Sequence, residues 1–198
     1  MQINIDKKSG TFIAIIAVLL LVIAFMSFGN GRGDHGSRDV MGMHHDDDKN
    51  SMLNGSDQMF LQMMIPHHEQ AVEMSDMALA KSKNPEILKL AQQIKDEQSS
   101  EIISMKSWLE GAGMSEHMGH DMDHGMGGML TPEELNSLKS ASGKEFDRLF
   151  LTSMIAHHEG ALHMVMMIKD SEDPKIRTLY ENIVKTQSAE LELMKTLL

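Results

Sequence analysis

The chain has 198 residues, a formal net charge of −11, 21 methionines, 11 histidines and no cysteine. The missing cysteine excludes disulfides, thiolate metal sites and a Cys nucleophile, and no Lys/Arg cluster offers the basic face that nucleic acid would need. Hydrophobic residues make up 41%, enough for a packed core, but aromatics only 4%, so methionine, elsewhere a gap-filler, is used beyond what packing explains.

Residues 11–28 carry no charge and follow Lys7 and Lys8. Their length is near the lower limit for a spanning helix, and the lysines favour a cytoplasmic N-terminus for residues 1–10. No Ala-x-Ala-like cleavage site follows, so a retained signal anchor is preferred to a cleaved signal peptide. Either reading sends the remainder across the membrane, with a single-pass, extracytoplasmic domain as the expectation. Residues 29–55 are rich in Gly, Asp, His and Ser and lack hydrophobic periodicity, and they read as a flexible tether. Within it Met41, Met43, His44 and His45 form a small Met/His group.

Residues 56–198 repeat themselves. Asp57, Phe60, Leu61, Met64, Ile65, His67, His68, Glu69 and Ala71 recur 90 positions later as Asp147, Phe150, Leu151, Met154, Ile155, His157, His158, Glu159 and Ala161. Past Met74 and Met164 the match continues, shifted by one: Pro85, Ile87, Leu90, Ile94, Gln98, Glu101 and Met105 answer to Pro174, Ile176, Leu179, Ile183, Gln187, Glu190 and Met194. Each copy, 57–109 and 147–198, reads as two helices joined by a short turn, with Pro at the start of the second. Two hairpins predict an all-α, ferritin-like four-helix bundle, the segment 110–144 crossing between them. Thr131 predicts the N-cap of a short helix in that crossover. Pro66 falls inside the first helix and predicts a bend there.

A helix turns about 100° per residue. His67 then sits in the middle of the apolar stripe with Phe60, Met64, Ala71 and Met74, and His157 with Phe150, Met154, Ala161 and Met164. His68 and His158 fall at the edge of that stripe. On the partner helices Gln98 and Glu101, and again Gln187 and Glu190, interrupt the apolar pattern. Counting outward from each turn puts His67 level with 98–101 and His157 level with 187–190. One His/Gln/Glu layer per hairpin is expected, with Met64, Met105, Met154 and Met194 about a turn away. A lone core histidine usually serves a structural hydrogen-bond network; a duplicated His-His pair amid methionines points to metal.

The crossover adds Met114, His117, Met118, His120, Met122, His124, Met126 and Met129 among glycines and acids, too polar a stretch to be core. Thioethers are soft donors that select Cu(I), whereas imidazole also accepts Cu(II), Zn and Ni.

The segments from Met64 to Ala71 and from Phe146 to Ala161, with Leu130-Thr131-Pro132 onward, resemble the domain of unknown function family 305 over roughly residues 50–198. The resemblance implies a ferritin-like bundle and extracytoplasmic copper binding. Carried over, the matching positions are Met64, His67, His68 and Met74, with Met154, His157, His158 and Met164. His163 replaces Glu73 of the first copy and lies away from the core stripe.

The leading expectation is a membrane-anchored, extracytoplasmic binding protein for copper, chiefly Cu(I) and possible for Ag(I) or another divalent metal, that sequesters the ion or exchanges it with a copper-exporting or copper-accepting protein. The candidate ligands are the eight positions above, Glu101, Glu190, Met105 and Met194, and the crossover residues His117, Met118, His120, Met122, His124 and Met126. Binding is expected to weaken as pH falls through the histidine range near 6.5. Two alternatives stand beside this. One is a di-metal redox enzyme, which would ordinarily need a Glu-x-x-His motif that the paired histidines lack. The other is a structural membrane module whose polar layer sets helix register.

Overall fold

The computed structural model describes residues 53–117 and 127–198. The expected anchor at 11–28 and the expected tether at 29–55, apart from its last three residues, lie outside the described residues; of those three, Gly55 already opens the first helix. Among the described residues no helix is long and apolar enough to cross a membrane, and no strand is present.

Helix α1 (Gly55–Lys81) starts at Asn54, whose side chain accepts from the Asp57 amide. It runs unbroken through Pro66. Helix α2 (Pro85–Gly111) is capped by Asn84 and has Pro at its first turn, where the missing N–H costs nothing. Thr131 caps the short α3 (Pro132–Ser140) in a reciprocal capping box with Glu134, as the sequence led one to expect. Helix α4 (Gly143–Met164) continues into a 3-10 turn (Val165–Ile168), and Asp173 caps α5 (Pro174–Leu197).

The one-residue shift between the copies falls where the second has this 3-10 turn and a longer connection, 169–173 against 82–84. A 3-10 turn rises about 2.0 Å per residue against 1.5 Å in an α-helix, so four residues span about 2 Å more.

Contacts between the helices fix their directions. Asp76 pairs with Lys95 and Glu69 with Lys106, so α1 and α2 are antiparallel. His67 lies against His157 while Asp57 accepts from Ser171 beyond the 3-10 turn, so α1 and α4 are antiparallel too. The four long helices form two hairpins, with α1 and α4 packed together.

The apolar interior is split in two. One cluster contains Phe60, Leu61, Met64, Met105, Leu109, Val165, Ile176 and Ile183; the other contains Ala71, Met74, Leu90, Ile94, Phe150, Met154, Leu191 and Met194. On every long helix the gap between them falls on polar residues: 67–68 on α1, 98–101 on α2, 157–158 on α4 and 187–190 on α5. This polar layer crosses the middle of the bundle.

Candidate metal centre

Four histidines meet in the layer, all wholly buried. The rings of His67 and His157 face each other with centroids 3.7 Å apart and planes tilted by 35°. They come from equivalent positions of the two copies, so the layer sits on the symmetry relation of the repeat. His68 and His158 flank them, each about 6.5 or 6.3 Å from its neighbour on the same helix.

The glutamates bind differently from expectation. Glu101 Oε2 lies 2.7 Å from His68 Nε2, and Glu190 Oε2 lies 2.8 Å from His158 Nε2. The helical wheel put His68 and His158 at the stripe's edge and matched the glutamates to His67 and His157. A stripe edge on α1 or α4 is in fact the seam against its hairpin partner, so the second histidine of each pair meets α2 or α5. The first meets its counterpart across the bundle.

His67 has one further contact. Its Nε2 lies 3.2 Å from the carbonyl oxygen of Gly127. A carbonyl only accepts, so Nε2 donates and Nδ1 carries the lone pair. That Nδ1 has no partner, nor does Nδ1 of His68 or His158, nor either nitrogen of His157. The Gln98 amide is unpaired at both ends and Gln187 at its oxygen. A buried polar atom left unpaired costs about 1–3 kcal/mol, so a layer of them is a standing destabilisation.

Burial strips three of the histidines of charge. It pushes His67 down to about 3, helped by His68, and His158 down to about 3, again with His68 nearby. His157, deepest of all, is held well below its ordinary value by burial and then by His67. For these three, protonation is displaced to a more acidic medium than the range near pH 6.5 expected from the sequence. Burial also pushes Glu190 up to about 8 and Glu97 up to about 7, each aided by neighbouring carboxyls. Glu97 was missed in the sequence, although it stands one turn before Glu101 on the same face.

The methionines divide by position. Met64 and Met105 close the layer from one apolar cluster, Met154 and Met194 from the other, and all four are wholly buried. Met74 and Met164 are buried too, but each stands seven residues past a layer histidine, about 10 Å further along its helix. The structure does not bring these two into the layer. His117 is exposed at the end of the first described segment; Met118, His120, Met122, His124 and Met126 lie outside the described residues. His163 is exposed, in line with its place off the core stripe. Glu69 and Glu159 face outward to Lys106 and Lys195.

Among the described residues no group of three or more His, Asp or Glu side chains is arranged to hold a metal ion. The layer offers imidazole nitrogens, bordered along the helices by the methionines of the two clusters.

Solved structures share this architecture. A DUF305 protein from Streptomyces coelicolor, described as secreted, is 29% identical with a TM-score of 0.67, the match covering 72% of this chain and 91% of that one. A DUF305 fragment from Deinococcus radiodurans is 28% identical with a TM-score of 0.68, over 73% and 96%. CopM in its Cu(I)-bound form is 36% identical with a TM-score of 0.60, over 71% and 93%; CopM is also known in Cu(II)-bound and Ag-bound forms. No curated protein matches the chain. The family model described as domain of unknown function DUF305 matches residues 57–198, and the chain belongs to that family.

Proposed function

We infer that the protein binds copper, with Cu(I) preferred and Ag(I) accepted, in the layer between its two apolar clusters. The observation that carries this reading is the set of buried, unpaired imidazole nitrogens on His67, His68, His157 and His158. Burial keeps His67, His157 and His158 neutral, and the unpaired nitrogens of all four rings are ready donors. Met64, Met105, Met154 and Met194 add the thioethers, which favour a soft ion over Zn(II). Glu101 and Glu190 grip the far nitrogens of His68 and His158, an arrangement that orients each imidazole. CopM, with its copper-bound and silver-bound forms, supports the same ligand class.

The role is sequestration or hand-over outside the cytoplasm, with residues 11–28 as a single-pass anchor and 29–55 as the tether. The uncharged stretch at 11–28 supports this, as does the description of the Streptomyces coelicolor relative as secreted. The Met/His residues of the crossover are further weak ligands in this reading.

Competition titration of the untagged protein with Cu(I), Ag(I) and Zn(II) tests the reading. Stoichiometric Cu(I) and Ag(I) binding, at least tenfold tighter than Zn(II), is expected. Equal or tighter Zn(II) binding overturns the soft-metal assignment, and no binding of any metal leaves the layer a device for helix register.

A further inference from the structure

The two copies of the motif differ at two places beside the histidines: Pro66 against Ala156, and Gln70 against Gly160. Residues 127–130 of the crossover explain the second difference. They lie as a strap between α1 and α4, directly over the facing histidines.

On the α1 side, Gln70 clamps the strap at two points. Its Nε2 donates to the Leu130 carbonyl at 3.0 Å and its Oε1 accepts from the Leu130 amide at 2.7 Å. On the α4 side the strap comes so close that side chains are excluded. A Cβ on Gly160 would collide with the Gly127 carbonyl, and one on Gly128 would collide with the backbone of Ala156 and His157. Gly128 also has φ of +84°, which favours glycine. Clamp and contact together set the Gly127 carbonyl against His67 Nε2.

We propose that Gln70 and Gly160 are positioning residues: they dock the strap so that the Gly127 carbonyl holds His67 in its Nε2–H tautomer, leaving Nδ1 as the nitrogen that takes a soft metal ion. The tautomer lock stands on the contacts alone; its use for metal rests on the copper-binding reading. The mismatch between the copies thus has a purpose. A glutamine at 160 would exclude the strap, and a glycine at 70 would leave it unclamped. His157 makes no hydrogen bond of that geometry to the strap and has only the His67 backbone near it, which leaves it the more adaptable member of the pair.

The test uses Gly160→Ala and Gln70→Leu, with Gly111→Ala as a control, because nothing lies near a Cβ there. Alanine favours a helix over glycine by about 1 kcal/mol, so α4 itself should tolerate the change. Long-range nitrogen–proton NMR correlations of the metal-free protein report each imidazole's tautomer, and Ag(I) competition reports affinity. In the parent and control, His67 is expected as Nε2–H. In both variants the other tautomer appears and Ag(I) binds about 10–100-fold more weakly, as when the group orienting a ligand is lost. An Nδ1–H His67 in the parent, or an unchanged tautomer in both variants, overturns the lock. An altered tautomer with unchanged Ag(I) affinity overturns the role of His67 Nδ1 as a ligand. If the parent binds no Ag(I), the copper reading fails, while the tautomer measurement still decides the lock. Should Gly160→Ala not fold, Gln70→Leu decides alone.

Discussion

His67 and His157 stack across the centre of the bundle with ring centroids 3.7 Å apart, although 90 positions separate them in the chain. Both are buried, both are neutral, and between them three of four ring nitrogens have no hydrogen-bond partner. Such a contact does not favour folding; it places donor atoms at some cost in stability.

Replacing His157 by Leu should therefore separate binding from stability. Leu fills a similar volume and removes two unpaired buried nitrogens, each costing about 1–3 kcal/mol. The metal-free variant is expected to be as stable as the parent or more so by about 1 kcal/mol in urea denaturation, while Ag(I) affinity drops at least tenfold. A loss of stability without metal would mean that the histidine layer holds the bundle together by itself.

Two sets of methionine substitutions should behave differently. Changing Met64, Met105, Met154 and Met194 to Leu is expected to weaken Cu(I) binding by more than tenfold, because these sulfurs border the layer. Changing Met74 and Met164 to Leu should leave affinity intact, since they lie about 10 Å along the helix from it. Each swap should cost less than about 1.5 kcal/mol of stability. Competition titration of the two variants distinguishes them, and equal losses would show that the layer is not where the sulfurs act.

Stability without metal should peak near pH 6.5. His67 and His158 have folded values near 3 and His157 is also well below 6.5. Below pH 6.5 the unfolded chain therefore takes up protons that the folded one refuses, and stability falls by about 1.4 kcal/mol per pH unit for each group. Glu190 and Glu97 act oppositely: their folded values near 8 and 7 hold protons that the unfolded chain loses above about 4.5. Their contribution is present at low pH and lost as pH rises toward 7 and 8, that of the more exposed Glu97 being screened. From pH 6.5 to 4.5 the two carboxyls offset the loss from the three histidines only in part; below 4.5 that offset ends and the loss steepens. Urea denaturation of chelator-treated protein at pH 4, 5, 6.5 and 8 measures this, and equal stability at pH 4 and 6.5 would contradict it.

Ser171→Ala should destabilise the far end of the bundle. Asp57 is buried, its Oδ1 is unpaired, and Ser171 Oγ donates to Oδ2 at 2.9 Å. Removing that donor leaves the carboxyl poorer still, at about 1–3 kcal/mol. A melting temperature unchanged within error would show that water takes the serine's place.

Much of the bundle was legible in the chain because a helix writes its buried face at a fixed period. The repeat named the hairpins, Pro85 and Pro174 marked helix starts, and Thr131 marked α3. The first histidine of each pair read as core because it shares its angle with Phe60 or Phe150. Three things needed the tertiary structure. Angular position on one helix does not say which neighbour lies at the stripe's edge, so only the packing of α1 on α2 and α4 on α5 gave Glu101 to His68 and Glu190 to His158. Met64 and Met164 share one cluster and Met74 and Met154 the other, so only the position of the polar gap between the clusters says which stand one turn from the layer and which stand two. The carbonyl of Gly127 is a backbone atom, and no side-chain pattern reports it. The sequence by itself determined the helices, their inward faces and the donor types; which donors meet was decided by contacts between residues far apart in the chain, where close packing allows one arrangement and periodicity allows several.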